Sequence, residues 1–92
     1  MKNLYLIAYD ISKNKIRNKI ADTLSQYGER INLSVFECML THVQINNLTE
    51  KLEEIIEKTD SIKIYFICST CYSKSRILGR KEYPGETNIF ID

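Results

Sequence analysis

Leu4-Tyr5-Leu6-Ile7-Ala8-Tyr9-Asp10 is apolar at both alternating parities and then stops abruptly in a carboxylate. Leu4, Leu6 and Ala8 fall on one face of a strand and Tyr5, Ile7 and Tyr9 on the other, so the run predicts a central strand buried on both sides. Asp10 stands where that strand leaves the core. A carboxylate there escapes full burial yet is aimed by a rigid element, which suits a metal ligand or a catalytic acid. The residues alone leave a second reading open, a turn-initiating Asp in Tyr9-Asp10-Ile11-Ser12, because Asp and Ser both favour turns and caps.

The strand needs partners, and the chain supplies them in one domain spanning residues 1–92. With 92 residues, 43% of them hydrophobic and 27% charged, the composition fits one soluble globular domain rather than a disordered or membrane segment. No apolar run approaches a membrane span, and Met1-Lys2-Asn3-Leu4 lacks the apolar core of a signal peptide, so a cytoplasmic location is expected. A domain this small buries only about 60–65% of the surface its unfolded chain exposes, and dimerisation would add to a marginal stability.

After Asp10, Ser12 is placed to cap a helix whose apolar stripe is Ile16, Ile20, Ala21, Leu24 and Tyr27. Gly28 follows, in the position that commonly takes left-handed backbone angles. Lys13, Lys15, Arg17 and Lys19 lie mostly outside the stripe, and Arg17 is early enough for its guanidinium to return toward the end of the first strand. Although the net charge is only +1, this basic segment contains no acidic residue and is suited to phosphate; a plain solvated helix face is the alternative.

Residues 30–40 alternate as β structure but change phase. Ile31, Leu33 and Val35 share one parity, whereas Phe36, Cys38 and Leu40 share the other, which predicts two short strands joined near Ser34-Val35-Phe36. Thr41 and Gln44 have the spacing of a capping box, and Ile45, Leu48, Leu52, Ile55 and Ile56 give the next helix its apolar face. His42 falls in that helix's first turn without a visible nucleophile partner. Ser61 to Cys68 alternates again, with Ile62, Ile64, Phe66 and Cys68 expected on one firmly buried face. Residues 72–82 show no clear period, Pro84-Gly85 marks a turn, and Thr87 to Ile91 is a short β-like segment expected to join a sheet edge.

The order strand, helix, strand, strand, helix, strand is that of an α+β, ferredoxin-like βαββαβ domain with an antiparallel sheet, extended by a C-terminal strand. Three cysteines, Cys38, Cys68 and Cys71, fit a reducing compartment and read as small, mostly buried residues. Cys68-Ser69-Thr70-Cys71 has metal-ligand spacing, but no second pair completes a zinc site. A redox role is disfavoured because the motif follows a strand instead of opening a helix.

Fold alone does not assign function. Tyr9-Asp10-Ile11, the alternation of Lys15, Arg17 and Lys19, Tyr27-Gly28, Arg30 followed by Ser34-Val35-Phe36-Glu37, and Thr41 form an ordered series. That series resembles the small CRISPR-associated Cas2 family, partners of the CRISPR spacer integrase, from Leu4 to Leu78. The resemblance implies a homodimer with metal-dependent nuclease activity, using Mg2+ or Mn2+, and a scaffold role with the integrase on spacer DNA. It makes Asp10 the metal-binding and catalytic carboxylate, and it implicates Tyr9, Arg17, Arg30 and Phe36 in activity. Lys19 stands at a position that can be arginine, which keeps the charge but loses the planar fork. The tail over 79–92 is matched in kind, as a strand passed to the partner's sheet.

Phosphodiester hydrolysis needs charge neutralisation and a positioned water. Under the resemblance, two Asp10 side chains brought together by a two-fold axis would share a magnesium ion. Arg17, Lys19, Arg30 and Ser34 would contact RNA or DNA phosphate, Tyr9 would orient a water or phosphate, and Phe36 would pack beneath the site or stack on a base. Two further readings stand beside the endonuclease: a noncatalytic DNA-binding adaptor of the integration complex, and a toxin-like ribonuclease or regulatory domain of related fold.

Overall fold

The computed structural model describes residues 1–79. Its elements are β1 (Asn3–Asp10), α1 (Asn14–Ser25), β2 (Glu29–Asn32), β3 (Val35–Leu40), α2 (His42–Ile55), β4 (Ser61–Ile67) and a short α3 (Ser69–Ser73). The first six follow the expected βαββαβ order. The Pro84-Gly85 turn, the Thr87 to Ile91 strand and its exchange between subunits lie outside the described residues.

The sheet order is β2-β3-β1-β4, with β1 antiparallel to both β3 and β4. Strand alternation divides β1 between two environments. Tyr5, Ile7 and Tyr9 join Phe36 and Cys38 of β3, Ile20 and Leu24 of α1, and Ile45, Leu48 and Leu52 of α2 in one core. Leu4, Leu6, Ala8 and Asp10 face the other way, alongside Val35, Glu37 and Met39 of β3 and Lys63, Tyr65 and Ile67 of β4. No long helix covers that second face among the described residues. Tyr65 and Met39 are accordingly 51% and 46% exposed.

The phase change near residue 34 is a two-residue connection, Leu33-Ser34, preceded by a bulge between Arg30 and Asn32. Asn32 Oδ1 accepts the Leu33 N–H at 2.7 Å, and the Ser34 carbonyl accepts the Tyr9 N–H at 3.0 Å, tying the turn to the end of β1. The capping box of α2 is present in both directions: Gln44 N–H donates to Thr41 Oγ1 and Thr41 N–H to Gln44 Oε1, at 3.1 and 2.8 Å.

Several expectations change. Ser12 does not cap α1; Lys13 holds the N-cap without a side-chain bond, and its carbonyl accepts the Arg17 N–H, so the helix begins one residue later. Gly28 does not take left-handed angles. Its lack of a side chain matters for another reason, since a Cβ there would lie 2.6 Å from Cys38 Sγ and 2.8 Å from Cys38 Cα. The β4 face is only partly buried: Ile62 and Ile64 pack on the core, but Phe66 is 57% exposed because β4 is an edge strand among the described residues, and its ring centroid lies 5.6 Å from that of Tyr5. Of the cysteines, Cys38 is fully buried, Cys68 half-buried and Cys71 exposed. The last two are the N-cap and a residue of α3, a turn that apolar periodicity is too short to reveal.

Candidate active site

The structure sorts the sequence-derived site residues by sheet face. Tyr9, Arg30 and Phe36 come together on the helix side. The Tyr9 hydroxyl donates to the Leu33 carbonyl and accepts from Arg30 Nη2, both at 3.2 Å. The Arg30 guanidinium lies 5.3 Å from the centroid of the Phe36 ring, whose own distance to the Tyr9 ring is 6.3 Å. Phe36 is 1% exposed and roofed by Arg30, which leaves no ring face for a base; packing beneath the site is its role. Tyr9, also buried, spends its hydroxyl on the turn and on Arg30, which makes it a positioning residue. Ser34 sits in the same turn, half-buried. Arg30 is thus the group of this cluster that reaches solvent, held over an aromatic floor in the manner that suits phosphate.

Asp10 points from the opposite, uncovered face. It ends β1 opposite Ser61, is exposed, and its carboxylate makes no hydrogen bond or ion pair with another described residue. Arg17 does not return to it: the guanidinium hydrogen-bonds Asn14 Oδ1 on its own helix. Lys19 is exposed on α1, and Lys13 is engaged by Glu57 at 3.0 Å. No group of three or more His, Cys, Asp or Glu gathers to hold a metal among the described residues. One carboxylate per chain fits a magnesium ion, which keeps several waters and takes one or two protein carboxylates, only if a second chain doubles it.

Sequence reasoning missed Glu37 as a functional group. It occupies the middle of the uncovered face, opposite Leu6 on one side and Glu29 on the other, is only 6% exposed, and leaves its Oε2 without a hydrogen-bond partner among the described residues. Burial, and secondarily the Glu29 charge, push its pKa above the usual 4.5. A raised carboxylate pKa means that the folded chain binds more protons than the unfolded one between 4.5 and the raised value. Stability is therefore lost as pH climbs through that window. Glu37→Gln is expected to stabilise the chain by about 1 kcal/mol at pH 7, with the gain shrinking as pH falls toward 4.5, measured as urea midpoints at fixed protein concentration. A loss of stability at pH 7 would show that the charged Glu37 has a partner.

The uncovered face, its unengaged rim carboxylate and the Tyr9-Arg30-Phe36 cluster belong to a chain with clear relatives. The family model described as CRISPR associated protein Cas2 matches residues 2–75. The CRISPR-associated endoribonuclease Cas2 1 of Chloroflexus aurantiacus is 43% identical over 77 residues, which span 82% of this chain and 83% of that protein. The crystal structure of Streptococcus pyogenes Cas2 superposes with a TM-score of 0.73 at 30% identity, covering 83% of this chain and 99% of that one. A chain from a partial Cas6-RT-Cas1–Cas2 complex also matches, with a TM-score of 0.73 and 30% identity over 85% of this chain and 91% of that one. The chain belongs to the CRISPR associated protein Cas2 family.

Proposed function

We propose that this chain is a homodimeric, magnesium-dependent endonuclease that cleaves RNA or DNA phosphodiesters and works with the CRISPR integrase in spacer acquisition. The observation that carries the reading is the unengaged Asp10 carboxylate at the rim of a sheet face that no long helix covers among the described residues. A second copy packed on that face through Leu6, Ala8, Val35 and Tyr65 would bury apolar surface at about 25 cal/mol per Å2. It would also relate the two Asp10 residues by a two-fold axis. Manganese is expected to substitute for magnesium at such an all-oxygen site. The metal, when bound, supplies charge neutralisation and a more acidic water.

The chain's own residues then have distinct tasks. Asp10 supplies the anionic ligand. Arg30 offers its fork to a phosphate oxygen, and Tyr9 fixes the fork's direction by accepting one of its N–H groups. Arg17 and Lys19 add positive charge along α1 to draw in the backbone of the nucleic acid. Tyr9→Phe should slacken Arg30 and the Leu33-Ser34 turn together, costing about 1 kcal/mol of stability. Arg30→Lys at the same site should weaken binding of a short RNA while leaving the unfolding midpoint closer to wild type. Equal RNA affinity in wild type and Arg30→Lys, measured by fluorescence anisotropy, would remove Arg30 from the interface.

A second reading, a noncatalytic adaptor of the integration complex, is favoured by the match to a Cas2 chain solved together with Cas1. Cleavage of labelled RNA and duplex DNA, with and without magnesium, separates the two in a preparation shown by sedimentation to be dimeric. Magnesium-dependent cleavage supports the enzyme. Absence of cleavage alongside intact binding of integrase and duplex supports the adaptor.

A further inference from the structure

Cys68 and Cys71 remain outside that reading, and the structure removes the reason for setting them aside. Cys68 does open a helix: it is the N-cap of α3, and its Sγ accepts the Cys71 N–H at 3.4 Å. The Cys71 N–H, and after it the neighbouring Cys71 side chain, lower the Cys68 pKa, whereas the proximity of Cys68 raises that of Cys71. Both sulfurs are accessible, Cys71 being exposed and Cys68 half-buried. The remaining thiol is the opposite of Cys68: Cys38 is 0% exposed and pushed up to about 12, chiefly by burial.

We propose that Cys68 and Cys71 form a reversible disulfide by exchange with a low-molecular-weight disulfide, making the first turn of α3 a redox-sensitive clamp. The Cys68 thiolate attacks one sulfur of the small disulfide, whose S–S bond breaks and whose other sulfur leaves as a thiol after taking a proton from water. Cys71 then gives its proton to solvent and attacks Cys68 Sγ, expelling the second small thiol. Two cysteine thiols are oxidised by two electrons, and one small disulfide is reduced to two thiols. Cys68 is the attacking residue because its thiolate is the more populated, and Cys71 resolves because its own N–H already bonds the Cys68 sulfur, which holds the two residues together in one turn. The clamp is placed to matter: Ser69 and Tyr72 of α3 line a cavity with Leu4, Met39 and Ile67 at one end of the uncovered sheet face. Bridging the turn fixes an element that lines that cavity.

The test incubates the full chain with oxidised glutathione, quenches with acid, alkylates under denaturing conditions and maps the cysteines by mass spectrometry. The expected wild-type product has Cys68 joined to Cys71 within one chain, no retained glutathione, an alkylated Cys38, and full reversal by dithiothreitol. Cys71→Ser is expected to accumulate glutathione on Cys68, and Cys68→Ser to react about tenfold more slowly at Cys71. A persistent glutathione adduct on the wild type, a bridge between two chains, or three unmodified thiols would each overturn the proposal. So would equal reaction rates in the two serine variants.

Discussion

Replacing Gly28 by alanine should destabilise this chain by about 3 kcal/mol, which lowers the unfolding temperature by roughly 12–24 °C for a domain of this size. The cause is space. Gly28 hydrogen-bonds back to the Leu24 carbonyl at 3.0 Å and leads directly into Glu29, which pairs with Glu37 across β2 and β3. A new Cβ would press on the Glu37 carbonyl oxygen and stand 2.6 Å from Cys38 Sγ and 2.8 Å from Cys38 Cα. Two of those three atoms are backbone in a paired strand, so no rotamer change relieves them. The chain must lift β2 from β3, and with it the Arg30 that rests on Phe36. Adding Cys38→Ala removes the sulfur but neither backbone atom, and should therefore restore only a minor share of the loss. Gly79→Ala is the contrasting control: its φ of 80° strains alanine, but no atom of the described residues would lie within 4 Å of the new Cβ, and the cost should be about 1 kcal/mol. Differential scanning calorimetry of the three variants checks the order, and a Gly28→Ala protein as stable as Gly79→Ala would refute the packing argument.

The contrast at Gly28 shows where sequence reading succeeds and where it stops. The position of the glycine at a helix end was legible, but its reason was tertiary: the neighbour is Cys38, ten residues on and in another strand. Elements with strong local signals were readable, including the doubly apolar β1, the Thr41-Gln44 box and the parity change that marks the Leu33-Ser34 turn. The cap of α1 was not, because Ser12 carries the favoured side chain while the backbone starts the helix after Lys13. For the site, identity was visible and grouping was not. Tyr9 and Asp10 are adjacent in sequence, yet a strand sends them to opposite faces, so one joins Arg30 and the other faces away. The buried carboxylate of Glu37 was hidden for a related reason: a polar residue at mid-strand reads as solvent-facing until the sheet order shows what flanks it.

Asp10→Asn carries the largest expected effect on activity, a loss of at least about a hundredfold in metal-dependent cleavage. Asparagine keeps the shape of the side chain and removes its charge. Asp10 is exposed and bonded to no other described side chain, so the fold has little at stake, and stability should stay within about 0.5 kcal/mol of wild type. Activity and stability are thereby separated in one substitution, unlike at Tyr9 or Gly28. If two Asp10 residues serve one site across a dimer, mixing wild-type and variant chains should depress activity below the fraction of wild-type chain present. The direct measurement compares wild type and Asp10→Asn, both confirmed as dimers, for cleavage of short RNA and duplex DNA with and without magnesium. Cleavage that requires both the metal and Asp10 is the expected result; cleavage that survives unchanged in Asp10→Asn would contradict the account.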